Sequence, residues 1–543
     1  MTDQPNPNGV REQVRTKSRA FLEIGLIFLV FFLYGVQPTP GVNEAQYLAK
    51  AKHFWNPAWC PGDHFLGSAD AHWAFFWSTG WLTRWMSLSA YAWLGRLVTW
   101  WAMATAWRRL SLAVVPCRWA SLVSATLFLL TLHHCHMMGE WVVGGIEGKS
   151  VAYVLVFFGL GSLVKGRWNE TWLLMGLAAV FHVLVGGWSC VATAAAWIAS
   201  GKERPAFASM LPGIGCGFGL ALAGIVPAWS MTQGVDAEII EQANHIYVFE
   251  RLAHHLVIHL QSQSRIAAHF SLVVVWLLLL WPTVRETSLR RIHGFVAGAL
   301  GLTIVGIVID QATLTQPDVA ARLLRYYWYR LGDVAVPLGV GLSAVFVLHR
   351  FAAAPLSSSR KLRSVLVVVC LLGLVITRQA AWRDGRPEAD MQAWPVQSPG
   401  DQKPHKKYRD WRNACHWISE HTFSTDRFLT PLRQQTFKWY SGRSEVVIWK
   451  DIPQDAKNVV IWWQRIEDLH QSQDSSGTWH WNQSLAEHSE ERLVCFAGQF
   501  GCHYLVVDRS DTAVRISPSR LVYPNHDHEN ESFAIYRVDQ TRE

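Results

Sequence analysis

In the stretch GVNEAQYLAKAKHFWNPAWCPGD, from Gly41 to Asp63, a carboxylate follows closely on an apolar run. Glu44 stands at the outer end of that run and opens a long loop rich in aromatics and broken by prolines. A carboxylate so placed can take the proton of a sugar hydroxyl as it attacks an anomeric carbon, which is general-base chemistry. A lipid-borne donor would keep its tail in the bilayer while the acceptor arrives from water. The competing reading is a solvated loop acid, since exposed acids are common. Asn43 and Tyr47 flank Glu44 as pocket candidates, and Asp63 and Asp70 are later acids of the same loop.

Other groups of side chains could hold an anion or a metal. In HHCHMMGEWVVGGIEGKS, His133, His134, His136 and Glu140 are ligand types that suit a divalent ion. They lack a helical i, i+4 His pair, and an interfacial turn explains them as well. Glu147 and Lys149 either pair with each other or leave Lys149 to meet a lipid phosphate. His182 lies in the apolar return FHVLVGGWS, where it is either a structural histidine or a functional group at membrane depth. The segment GVDAEIIEQANHIYVFERLAHHLVIHL has helical apolar spacing through Ile239, Ile240, Ala243, Ile246, Tyr247, Leu252, Leu256 and Leu260. That pattern predicts a helix lying along the membrane surface. Its Arg251, His254 and His255 fall within one turn and either hold a phosphodiester, with forked donors from the guanidinium, or line a solvated face. In ARLLRYYWYRLGD, Arg322, Arg325 and Arg330 alternate with aromatics. They serve either a donor phosphate or headgroup anchoring, and Asp333 is placed to pair with Arg330. GIGCGFG, at 213–219, lies inside an apolar run with no strand before it, so close helix packing explains it better than nucleotide binding.

These groups need elements to position them. Of the 543 residues 50% are hydrophobic and only 17% charged, against about a quarter charged in soluble proteins. The 30 tryptophans suit membrane interfaces. The net charge of +8 falls mostly in short loops and forms no basic face, which excludes a nucleic-acid partner. Apolar runs lie at 21–36, 91–107, 112–132, 151–164, 172–185, 189–198, 207–229, 272–281, 295–308, 334–348 and 365–376, giving roughly eleven crossings. With the N-terminus in the cytoplasm, alternate loops carry Arg108, Arg109 and Arg118; Lys165 and Arg167; Lys202 and Arg204; Arg285, Arg290 and Arg291; and Arg350, Arg360, Lys361 and Arg363. Each is short and basic, as cytoplasmic loops are. The Glu44 loop and the C-terminal tail then lie outside.

The expected organisation is a cytoplasmic tail over 1–20, a transmembrane domain over 21–380, a linker over 381–407 and a soluble domain over 408–543. The tail alternates helical spacing (Asp410–Glu420, QDAKNVVIWWQRIEDLH, LAEHSEERLVCFAGQ) with strand-like runs at Phe428, 446–449, 504–508 and 533–538, which predicts a small α/β domain. The nine cysteines show no zinc-type double CxxC spacing. Cys495 and Cys502 can pair if their domain faces an oxidising compartment.

A first span from a cytoplasmic N-terminus, an acid at the head of a long first outside loop, many spans and an outer C-terminal domain resemble the GT-C fold. That superfamily comprises glycosyltransferases that use polyprenyl-phosphate-linked sugars. The chain also resembles a bacterial multispanning membrane family with no assigned function. The resemblance implies a mostly α, polytopic protein of the bacterial inner membrane, with a polyprenyl-phosphate-sugar donor and an extracytoplasmic glycan, lipid or protein acceptor. It implies Glu44 as base, and Lys149, Arg251, His254, His255, Arg325 and Arg330 remain the candidates of this chain for the donor phosphate. No cofactor is needed, a divalent metal being optional. The family often carries two acids at this point in the first outside loop. Here the pair is Asn43-Glu44, so Asp63 or Asp70 would have to supply the second. That departure keeps open a non-catalytic relative that binds a glycolipid or scaffolds envelope assembly. A transporter would need charges buried mid-span and inverted repeats. Arg96 and Asp310 are the only support for one, and both lie near run ends.

Overall fold

The computed structural model describes residues 7–352, 359–398, 400–473, 477–482, 484–509 and 516–538. The chain forms two compact units, neither contiguous in sequence. One holds Met1–Val36, Leu94–Val226 and Tyr247–Arg383; the other holds Gln37–Trp93, Pro227–Ile246 and Asp384–Glu543.

The first unit is helical, and the apolar runs of the sequence lie in helical chain apart from breaks at 115–117 and His182 and the end of the first run. Among the described residues six helices are long and apolar enough to cross a membrane: Lys17–Gly35, Phe207–Ser230, Gln263–Thr283, Thr287–Ala312, Arg330–Arg350 and Ser364–Asp384. Leu88–Val114 and Trp119–Cys135 meet at a bend of 116° and make a seventh if they count as one broken span. Gly148–Val164 and Val183–Ala199 are apolar but shorter, and Trp168–Phe181 has 14 residues. By length and composition six or seven of the expected eleven crossings are found among the described residues; a straight crossing needs about 20 apolar residues, and the remaining runs end sooner. Leu278, Trp281, Val98 and Ile376 are 71%, 85%, 60% and 65% exposed. Apolar side chains displayed so fully along apolar helices suit lipid contact.

The glycine-rich stretch is a packing face. A methyl group at Gly213 would strike Asn169, at Gly217 the backbone of Trp172, and at Gly224 the backbone of Ala179, whereas Gly215 and Gly219 face open space. Small residues every three or four positions let helix backbones approach closely.

Bases from loops assigned to the cytoplasmic side meet one another's elements. Arg109 donates to Ser162 and Glu170, Arg291 to the carbonyls of Leu163 and Val164, Arg108 to Glu23, and Arg290 pairs with Glu203. The side chains of Arg118, Arg360, Lys361 and Arg363 lie outside the described residues.

The second unit is built on a mixed sheet. Its strands are β1 (Arg427–Leu429), β2 (Ser444–Glu445), β5 (Tyr504–Asp508), β6 (Leu521–Tyr523) and β7 (Phe533–Arg537), while β3 (Gln471–Gln473) and β4 (Trp479–Trp481) form a separate hairpin. The order is β2-β1-β5-β7-β6, with β1 parallel to β2 and β5, and β7 antiparallel to β5 and β6. Side chains alternate between faces. Leu429, Leu505, Val507, Ala534 and Tyr536 pack with the helices Ala456–His470 and Glu490–Phe500, while Phe428, Val506, Phe533 and Ile535 pack with the helix Lys403–His421. The strand expected at 446–449 is shorter and earlier than its pattern suggests. Val446, Val447 and Trp449 instead pack from irregular chain against the helix Ala456–His470.

The segment expected to lie on a membrane surface is broken. It forms Ala237–His245, a wider π turn over Ile246–Arg251, and short turns after Ala253. Ile239, Ile240, Ala243 and Ile246 pack into the core of the second unit. Val248, Leu252, Leu256 and Val257 pack with Ala320, Ala321 and Leu324 in the first. Protein covers most of its apolar face, although Leu260 is 59% exposed. Both cysteines proposed for pairing are free, Cys495 exposed and Cys502 buried.

Candidate functional site

Glu44 is the first residue of the helix Glu44–Trp55 in the second unit, with Asn43 at its N-cap. It is 1% exposed, so the solvated-loop reading fails. Its Oε2 accepts the Gly41 N–H at 2.7 Å, and an acid in a first helical turn also suits the positive end of the helix. One turn on, Tyr47 stands among aromatics, its ring 5.3 Å from His72, 6.4 Å from Phe75 and 6.2 Å from Phe76.

The two later acids bind lysines. Asp70 pairs with Lys50 at 3.2 Å, and Lys50 also donates to Ser68 and to the carbonyls of Phe65 and Ala69. Asp63 pairs with Lys438 at 3.3 Å, and the same ammonium meets Glu445 at 2.7 Å and Asp451 at 2.6 Å. All four groups are at most 4% exposed. Three carboxylates on one ammonium leave an excess of negative charge. Burial, helped by Asp451 and Asp63, pushes Glu445 up to about 7 against the pull of Lys438. Further bonds fasten this loop to the sheet domain. Arg427 donates to the Gly62 carbonyl at 2.5 Å, Ser444 to the Pro61 carbonyl at 2.9 Å, and His64 meets Asn458 at 3.0 Å. Asp63 and Asp70 thus have structural partners that explain their burial.

Within the first unit, residues from loops assigned to the outer side gather round Glu140. Lys149 lies 3.4 Å from Glu140 and 3.3 Å from Glu147, and Arg330 Nε lies 3.1 Å from Glu140. Lys149 also sits over the Trp141 ring at 4.1 Å, and Arg330 over Tyr327 at 3.9 Å. Arg330 donates to His182 Nε2 at 2.9 Å, and the Val185 N–H donates to His182 Nδ1 at 3.3 Å. His255 Nδ1 bonds the Met138 carbonyl at 2.5 Å. Burial, reinforced by His254, drives that imidazole well below its ordinary range, so it serves as a neutral hydrogen-bonding group. Tyr247 and Tyr327 meet hydroxyl to hydroxyl at 3.3 Å.

Of the predicted anion-binding residues, the structure brings together Lys149, His255 and Arg330, with His182, expected only to line a pocket, beside Arg330. Arg251 is buried, His254 is exposed and stacks on His255, and Arg325 lies over Tyr326. Two participants differ from expectation. Arg330 pairs with Glu140 rather than Asp333. The Asp333 carboxylate instead accepts the backbone N–H groups of Met137, Met138 and Glu140, at 2.7, 2.9 and 3.3 Å. The signal in the sequence is that buried charges among apolar helices require partners, and Glu140 is an acid in an outer loop with Lys149 nine residues on. The histidines weighed with it diverge: His133 meets Tyr34, His134 meets Thr377 and His136 the Leu132 carbonyl. Among the described residues no group of three or more His, Cys, Asp or Glu side chains is arranged to hold a metal.

Residues 409–469 match a family described as "Domain of unknown function (DUF6798)". No curated protein matches the chain. Among solved structures, the chain is similar to the archaeal oligosaccharyltransferase AglB from Archaeoglobus fulgidus in complex with an inhibitory peptide and a dolichol-phosphate. The identity is 11%, the TM-score is 0.42, and 91% of this chain and 70% of that one are covered. The Archaeoglobus fulgidus oligosaccharyltransferase tethered to an acceptor peptide gives 12% identity and a TM-score of 0.40, covering 91% and 69%. The complex of that enzyme with zinc and sulfate gives 11% and 0.36, covering 90% and 68%. Likeness at this level assigns neither activity nor partner to this chain.

Proposed function

We propose that this chain is a multi-pass membrane glycosyltransferase. It moves a sugar from a polyprenyl-phosphate-linked donor to an acceptor outside the cytoplasm, with Glu44 as the base. The observation that carries this reading is the buried polar cluster of the helical unit. Lys149, Arg330, His182 and His255 come from separate loops and meet with tyrosines among apolar helices. Charges buried in such a setting are expensive to keep and mark functional sites by default. In the second unit, the shielded carboxylate of Glu44 beside the aromatic nest of Tyr47 supplies a proton acceptor out of bulk water. In this scheme Lys149 and Arg330 hold the donor phosphate, and the acceptor hydroxyl oxygen bonds the anomeric carbon and gives up its proton as the sugar–phosphate bond breaks and the polyprenyl phosphate leaves. The short basic loops support an orientation in which both regions face away from the cytoplasm, and the reading places the chain in the inner membrane of a bacterium.

Two observations favour a second reading, a non-catalytic relative that binds a glycolipid or scaffolds envelope assembly. Asn43 stands where the resembling family often has another acid. Lys149 and Arg330 are also already neutralised by Glu140 and Glu147, as in a structural network. Incubating the full chain in bilayer nanodiscs with polyprenyl-phospho-sugars separates the two. Donor consumption supports the enzyme, and retention of intact donor supports the binding protein. Neither consumption nor retention across a panel of such donors would refute both.

A further inference from the structure

The β3–β4 hairpin takes no part in the chemistry above. Its strands pair Gln471 with Trp481, Ser472 with His480 and Gln473 with Trp479. Residues directly opposite in an antiparallel pair share a face, as do residues two apart on one strand. One face therefore carries Trp479, Trp481, Gln471 and Gln473, and the other Ser472 and His480, which bond each other at 3.0 Å.

Trp479 is 63% exposed and Trp481 46%. Indoles are seldom left so open, since they bury large apolar areas when they can. The pair is nonetheless firmly seated. Trp481 meets the ring of Trp463 edge-on at 5.9 Å, and Trp463 lies 6.0 Å from Trp462 and 6.2 Å from Trp449 in the domain core. At the strand end the Asn482 N–H donates to the His470 carbonyl at 2.8 Å, and Ser472 donates to the Asn482 side chain at 2.6 Å. The strand rise sets the two indoles about 7 Å apart along β4, room for neighbouring rings of one chain-like ligand.

We propose that this face binds a neutral oligosaccharide. Indole faces accept the C–H faces of pyranose rings, and the two carboxamides can both donate to and accept from hydroxyls. The described residues of the hairpin, 471–473 and 477–482, include no Asp, Glu, Lys or Arg, so nothing among them selects a charged ligand; Asp474 lies outside the described residues. A lipid surface fits less well, because two amides share the face with the indoles and would lose hydrogen bonds in hydrocarbon. The identification of this glycan as the acceptor rests on the function proposed above; the binding itself does not.

The test titrates the full chain in nanodiscs with cellohexaose, maltohexaose, mannohexaose and chitohexaose, following heat of binding. At least one should bind. The Trp479→Ala/Trp481→Ala variant should lose at least about tenfold in affinity, as for removal of a buried aromatic anchor, with thermal unfolding unchanged. Trp85→Ala, which removes another exposed indole, should bind as wild type. The proposal is overturned if no member of the panel binds or if the double variant binds equally. It is also overturned if brominated lipids quench wild-type fluorescence more than that of the double variant, which would make the hairpin a membrane anchor. Glycan binding without donor turnover would uphold the platform and count against the enzyme alone.

Discussion

Lys438 shows how much charge one buried residue can balance. Its ammonium is shared by Asp63, Glu445 and Asp451, all buried. Lys438→Met would leave three carboxylates without a counter-charge. Removing one partner of a buried pair costs about 3–5 kcal/mol, and an unfolding midpoint lowered to match is expected in chemical denaturation. Glu445 adds a pH dependence. Its carboxyl is pushed up to about 7 in the fold, whereas an unfolded glutamate titrates near about 4.3. Between those values the folded state holds a proton that the unfolded state has released. Stability from this group is therefore full at low pH and is lost as pH rises through about 7. Glu445→Gln should flatten that slope between pH 5 and 8 relative to wild type; parallel profiles would show that Glu445 does not titrate there. At this scale the sequence was half legible. It marked Asp63 as a noteworthy acid, but its partner is 375 positions away by residue number, and no local pattern records such a pairing.

At the scale of elements, helix packing offers the sharpest contrast. Gly217 meets the backbone of Trp172, whereas Gly215, one turn-face away, meets nothing within 4 Å. Gly217→Ala is expected to destabilise the protein by about 1–3 kcal/mol through overpacking, and Gly215→Ala to be near neutral. Thermal unfolding in detergent reads both, and equal effects would contradict the packing role. Here composition was informative: glycines in an apolar run with no preceding strand already pointed to helix contact. The span count was less legible. Hydropathy locates apolar runs but not where a helix bends, as at 114–118, or breaks, as at His182. The outer amphipathic segment misled for a related reason. Periodicity finds an apolar face without saying what covers it, and protein covers most of this one.

At the scale of the whole molecule, the first loop and the C-terminal domain belong to one unit although some 290 residues separate them, counting from Trp93 to Asp384. The sequence showed both pieces and the α/β character of the tail; the union depends on side-chain bonds such as those of Asp63, Gly62 and His64. The helical unit likewise gathers loops that the charge pattern put on one side. The account as a whole rests on Glu44 serving as the proton acceptor in sugar transfer. The most direct measurement compares wild type and Glu44→Gln, at equal amounts in nanodiscs, for transfer from a polyprenyl-phospho-sugar. A loss of at least about a hundredfold in rate, with donor binding unchanged, is expected; transfer at the wild-type rate would contradict it.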